Sequence, residues 1–129
     1  MKYVIDSFAW LEYFMGSSRG NAAKRVIDSR TEEAYTPAIC VAEVYAKSLK
    51  TEGEAMAETR RRFMRDRSVV APLNEERAVE AAKIDVTRKK EVHQWGLADS
   101  IVLATARGMK AKVLTGDHHF DGLQDVVMI

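Results

Sequence analysis

Cysteine is almost missing from this chain. Cys40 is the only one in 129 residues, so no disulfide can form within the chain, and a reduced, cytoplasmic setting is expected. Long apolar runs are missing too, since none approaches the roughly 20 residues a bilayer-spanning helix needs. The first apolar stretch, Tyr3-Val4-Ile5, is interrupted by Asp6, so a secretory signal is not expected. Neither internal repeats nor low-complexity tracts are found. Net charge is small, at +1. A disulfide scaffold and a membrane span are thereby excluded.

What remains fits a single globular domain over residues 1–129, with 47% hydrophobic and 30% charged residues. The charge is not evenly spread. Lys and Arg outnumber Asp and Glu between residues 47 and 90, most densely at Arg60, Arg61, Arg62, Arg65 and Arg67. Such a stretch is either a solvated helix face or a track for a polyanion.

Hydrophobic spacing predicts strands at 3–5, 34–36, 68–71, 112–115 and 126–129. Between them it predicts helices at 8–14, 19–30, 37–50, 54–67, 74–91 and 98–107. Thr36 is the expected N-cap of the third helix, with Pro37 in its first turn. Asn74 caps the fifth, and Gly108 is expected to end the sixth. Short apolar strands alternating with helices predict an α/β fold whose parallel sheet is covered on both faces. In such sheets, sites form outside the carboxyl ends of the strands, where strand order reverses.

Four acids stand alone in apolar surroundings. Asp6 is the only charge between Tyr3 and Leu11, at the exit of the first strand. Glu43 is the only charge from Pro37 to Ala46, on a part of the helix expected to be buried. Asp99 is the only ionised group between Val92 and Ala106, and Asp117 follows the strand Val113-Leu114-Thr115. Burying a lone carboxylate costs several kcal/mol unless something compensates it. Each has a plainer alternative: Asp6 as a helix cap, Asp99 as an acid near a positive helix end, Asp117 as a turn residue, Glu43 as a local pair with Lys47. Taken together, they suggest one cluster. Clustered carboxylates repel one another and call for a cation. Hard oxygen donors without a Cys or an obvious His partner favour Mg2+ or Mn2+ over Zn2+. Such sites support phosphoryl chemistry, with one ion activating water and a second stabilising the leaving oxygen.

Four ordered blocks carry a resemblance: Val4-Ile5-Asp6-Ser7, Thr36-Pro37 followed by Glu43-Val44, Leu97-Ala98-Asp99-Ser100-Ile101-Val102-Leu103-Ala104-Thr105-Ala106, and Leu114-Thr115-Gly116-Asp117 with Phe120. Together they resemble the PIN-domain family, and most closely its VapC-type toxins of toxin–antitoxin pairs. The likeness spans essentially the whole chain. It implies a three-layer α/β/α fold with a five-stranded parallel sheet of order 3-2-1-4-5, and Mg2+- or Mn2+-dependent cleavage of RNA. By position it assigns Asp6, Glu43, Asp99 and Asp117 as the acidic quartet, with Asp6, Asp99 and Asp117 holding one or two ions and Ser7 and Thr115 as supporting hydroxyls. Many relatives carry a further acid before the Phe; here those places are His118 and His119, expected to face solvent, and the next acid is Asp121. A cognate antitoxin and a homodimer are implied, with helices 37–50 and 54–67 resembling the region for those contacts. Lys47, Arg60 and Arg61 are candidate contacts to RNA. Trp10, Tyr13 and Phe14 are expected in a core or interface, Trp95 in the core, and Cys40 buried and inert.

Two other roles suit the same fold: an RNA-processing nuclease, or a metal-binding RNA-interaction module without turnover. A phosphoacceptor receiver domain has similar length, but its acceptor Asp would end the third strand, where this chain has Ala71-Pro72-Leu73.

Overall fold

The computed structural model describes all 129 residues. Five parallel strands form one sheet: β1 (Lys2–Ile5), β2 (Glu33–Pro37), β3 (Val69–Ala71), β4 (Lys112–Thr115) and β5 (Val126–Met128), in the order β3-β2-β1-β4-β5. Six helices surround it: α1 (Ser7–Met15), α2 (Ser18–Ile27), α3 (Ala38–Glu52), α4 (Glu54–Arg67), α5 (Glu75–Arg88) and α6 (Leu97–Met109). A single 3-10 turn, His118–Phe120, joins β4 to β5. No helix is long and apolar enough to cross a membrane.

Strand periodicity sorts the core into two layers. Val4 and Val113 point to one face, where they meet Trp95, Val102, Leu103, Ala106 and Phe120. Their neighbours Ile5 and Leu114 point to the other, against Ala9, Trp10, Ala23, Ile27, Val44 and Met64. Successive strand residues alternate sides, so near-continuous apolar strands mark a sheet buried on both faces. The register pairs Val4 with Val113 and Ile5 with Leu114, which brings the ends of β1 and β4 level. The chain goes from β1 to β2 on one side and returns through β4 on the other. The strand order therefore reverses between β1 and β4, and Asp6 and Asp117 lie just beyond those two strand ends.

Two expected helix ends are corrected. Thr36 does not cap α3. It is fully buried on β2, its hydroxyl accepts from Trp10 Nε1 at 3.1 Å, and it shares a hydrogen bond with Ser68 Oγ at 2.6 Å. Tertiary partners outweigh the local cap, and Pro37 itself takes the cap position. Gly108 does not end α6, which continues through Met109 to Lys110 in a left-handed conformation (φ 55°). Gly108 instead makes room for Arg77, whose Nη2 would lie 3.0 Å from a Cβ at that position. Asn74 caps α5 as expected, accepting from the Arg77 amide at 2.8 Å.

Candidate metal centre

Asp6 leaves β1 and precedes α1, but its side chain makes no cap hydrogen bond, which removes the plain capping explanation. Only 4% exposed, it accepts from Thr115 Oγ1 through Oδ2 at 2.7 Å, and Cys40 Sγ lies 3.8 Å from Oδ1. Burial is the main force pushing its carboxyl up to about 7, with smaller contributions from the negative charges of Glu43 and Asp99. The Thr115 hydroxyl and the Ser7 amide oppose that rise by favouring the ion.

Thr115 ends β4 and is fully buried. Its hydroxyl oxygen also accepts the Asp117 amide at 3.0 Å, so one side chain touches both strand-exit acids. Gly116 sits between them, and a Cβ there would lie 2.4 Å from Phe8 Cε1. Only glycine fits without displacing that ring.

Asp99 is in the first turn of α6 and accepts the Gly96 amide through Oδ2 at 3.0 Å. Asp117 accepts the His119 amide through Oδ1 at 2.9 Å. Both plain roles, helix-end acid and turn residue, are therefore real. They coexist with mutual proximity: desolvation and then the Asp117 charge raise Asp99, against the Gly96 amide and His119.

Glu43 corrects an expectation. It is exposed, because α3 buries only the stripe Cys40, Val44 and Ser48. The apolar residues around Glu43 include Ala38, Ala42 and Ala46, which are small and stay exposed at little cost. No ion pair with Lys47 forms. The Glu43 carboxyl is raised first by partial desolvation, then by Asp99 and Asp117, while Ser7 lowers it.

His119 is the larger correction. It does not face solvent: Nδ1 lies 3.4 Å from Asp99 Oδ2 and 3.5 Å from Asp117 Oδ1, with the side chain 32% exposed. His118 is exposed as expected and faces Asp121 at 3.1 Å, which holds Asp121 at the turn rather than among the quartet. Two groups result: Asp6, Cys40 and Glu43, and Asp99, Asp117 and His119, each with ligand atoms within 4.8 Å of one another. Neither Cys40 nor His119 stood out in the sequence. Cys40 read as an ordinary core residue, and His119 as one of a polar turn pair.

The remaining residues fall elsewhere. Arg60 is occupied by Glu52 at 2.7 Å, Ser48 Oγ at 2.9 Å and the face of Phe14. Arg61 pairs with Glu58 at 2.9 Å. Lys47, one turn beyond Glu43, is exposed and without an ion pair. Trp10, Tyr13 and Phe14 cluster with Phe63, and Trp95 is buried against Phe120.

The residues present suit a divalent cation. No Lys or Arg pairs with any of the four acids, all three raised carboxyls are raised by their acidic neighbours' charge as well as by burial, and the donors are mainly oxygen. Burial and then the facing acids push the Cys40 thiol well up, which disfavours the thiolate a metal ligand requires.

Solved structures with this fold span nearly the same length. VapC20 of Mycobacterium tuberculosis, a toxin that cleaves the sarcin–ricin loop, matches at 17% identity and TM-score 0.77, over 96% of this chain and 98% of that one. A chain of VapBC-1 from nontypeable Haemophilus influenzae matches at 20% and 0.75, over 99% and 98%. A chain of FitAcB from Neisseria gonorrhoeae matches at 21% and 0.68, over 98% and 96%. No curated protein matches by sequence. The profile of the PIN domain matches residues 3–125. The fold, its strand order and that match agree, and this chain belongs to the PIN domain family.

Proposed function

We propose that this protein is a Mg2+- or Mn2+-dependent endoribonuclease, acting in the cytoplasm as the toxin of a toxin–antitoxin pair. The observation that carries this reading is the gathering of Asp6 with Glu43 and of Asp99 with Asp117 beyond β1 and β4, near enough for their charges to raise one another's carboxyls and with no Lys or Arg paired to them. The solved structures it resembles include several toxin–antitoxin complexes and one RNA-cleaving toxin. A cognate antitoxin and a homodimer belong to the same proposal.

In this reading Asp6, Asp99 and Asp117 hold one or two ions. A bound divalent ion supplies Lewis acidity, lowering the pKa of a water and neutralising phosphate charge. Thr115 orients Asp6 by donating to its Oδ2. Glu43, exposed and with a raised carboxyl, is suited to hold or pass a proton at the edge of the cluster. Ser7 favours the ionised forms of both Asp6 and Glu43. Lys47, and more distantly Arg60 and Arg61, supply positive potential for the RNA backbone.

Purified protein is expected to cut RNA with Mg2+ or Mn2+, to stop with chelator, and to lose cutting in Asp6→Asn and Asp99→Asn. Retained cutting in either variant sinks the assignment. Induction is expected to arrest growth, with rescue by a short reading frame beside the gene. RNA cutting without growth arrest would place the protein in RNA processing instead.

A further inference from the structure

We infer that His119 is a nitrogen ligand of this metal centre, and that it biases the centre toward first-row transition ions such as Mn2+ over Mg2+. The inference rests on the reading of the quartet as a divalent-metal site and goes further in naming a ligand outside it.

The geometry is specific. His119 Nδ1 stands 3.4 Å from Asp99 Oδ2 and 3.5 Å from Asp117 Oδ1. Donors bound at about 2.1 Å on adjacent corners of a six-coordinate ion lie roughly 3.0 Å apart, and somewhat farther apart at lower coordination number. The observed edges need to close by only a few tenths of an ångström. Asp99 Oδ1 and Asp117 Oδ2 have no hydrogen-bond partner, so each carboxylate keeps an oxygen free.

The backbone that carries the imidazole is held where it is. Arg88 Nη2 donates to the carbonyls of His119 and Asp121 at 2.8 and 3.0 Å, from both sides of the turn. Its guanidinium lies over Trp95, 5.3 Å from the ring centroid, and Trp95 is itself fixed by Ser100 and Phe120. The next residue, Phe120, is fully buried, so the turn cannot rotate His119 outward without emptying the core. His118, lacking any such anchor, points to solvent and Asp121.

The choice of metal follows from the donor. Mg2+ prefers oxygen ligands and parts reluctantly with water, whereas a first-row transition ion accepts an imidazole nitrogen more readily than Mg2+ does, Mn2+ least among them and the later ions most. An oxygen-only set lacks this bias.

Pulsed EPR on the full chain loaded with Mn2+ tests the point directly. A directly bound nitrogen is expected to appear as 14N coupling to the Mn2+ electron spin, absent in His119→Ala. Competition of Mg2+ against Mn2+, read from free Mn2+, is expected to show the preference for Mn2+ falling on the order of tenfold in His119→Ala. His119→Asp, which restores an oxygen donor, is expected to keep Mg2+ affinity while losing the coupling. This second variant separates a lost ligand from a damaged fold. Mn2+ binding without 14N coupling, or an unchanged preference in both variants, overturns the inference and leaves the carboxylate site intact. Absence of binding by either ion to the unaltered chain overturns both.

Discussion

The Thr115 hydroxyl donates to Asp6 at 2.7 Å, joining the acid that follows β1 to the strand that leads into Asp117. The same oxygen accepts the Asp117 amide at 3.0 Å, so the two strand exits share one side chain. Thr115→Val keeps the shape and removes both hydrogen bonds. It leaves the buried Asp6 oxygen and the Asp117 amide without this partner, for a cost of about 1–3 kcal/mol by urea unfolding. Metal affinity is expected to fall roughly 10- to 100-fold, as for other groups that orient metal ligands. Thr115→Ser restores the hydroxyl and most of both properties. Equal behaviour of the Val variant and the unaltered chain would show that the link is incidental.

Asp6 makes the metal-free protein sensitive to pH in a definite direction. Its folded pKa, about 7, lies above the ordinary 3.8, chiefly through burial. Between those values the folded state binds more protons than the unfolded one, so stability falls as pH rises. Below pH 3.8 the penalty is absent, and above pH 7 it is complete, on the order of 4 kcal/mol at 1.36 kcal/mol per unit. Glu43 and Asp99, also raised, act in the same sense. Asp6→Asn in chelator is therefore expected to melt several degrees above the unaltered chain at pH 8 and to match it near pH 4. Added Mg2+ should reverse the order at pH 8, since only the unaltered chain keeps the full charge to bind it. Thermal melts across pH with and without Mg2+ check both statements.

Much of this was legible in the sequence because burying charge is costly. A lone acid in an apolar stretch is visible without coordinates, and Asp6, Asp99 and Asp117 were found that way. Strand positions were visible too, since the apolar pairs Val4-Ile5 and Val113-Leu114 serve both faces of one sheet. Other features depend on contacts far apart in sequence. Thr36 has ideal local chemistry for a cap, yet Trp10 and Ser68 claim its hydroxyl. Glu43 looked buried because alanine counts as apolar in a pattern while tolerating exposure. His119 was concealed beside an identical neighbour, and only Arg88, 31 positions earlier, and the buried Phe120 distinguish the two.

Lys47 and Arg60 should separate when RNA binding is measured. Arg60 is engaged by Glu52, Ser48 and Phe14, so its removal strips packing and leaves Glu52 unpaired. Arg60→Ala is expected to lower stability by about 1–3 kcal/mol. Lys47 is exposed and unpaired, and Lys47→Ala is expected to leave stability within about 0.5 kcal/mol. If Lys47 contacts a phosphate, its variant binds RNA more weakly and lowers the slope of log affinity against log salt by roughly one. Filter binding over a salt series, with a cleavage-inactive Asp99→Asn background, reads this out. An unchanged slope removes Lys47 from the RNA track.

Arg88 governs the turn that carries Asp117 and His119, although it hydrogen-bonds to neither side chain. Its side chain is 13% exposed and gives one charged donor to two carbonyls, those of His119 and Asp121. Hydrogen bonds from charged groups are worth about 1.5–3 kcal/mol, and here they act on a three-residue helical turn that buried Phe120 also anchors. Arg88→Ala is expected to destabilise the fold by that amount and to loosen the turn. Arg88→Lys keeps the charge but not the planar reach to both carbonyls, nor the same contact with Trp95, and should fall between. A role confined to packing predicts that metal affinity is unaffected once the protein is folded. A positioning role predicts weaker Mn2+ binding in folded Arg88→Lys, with faster amide exchange confined to residues 117–121. Hydrogen exchange and Mn2+ titration on the same sample decide between them.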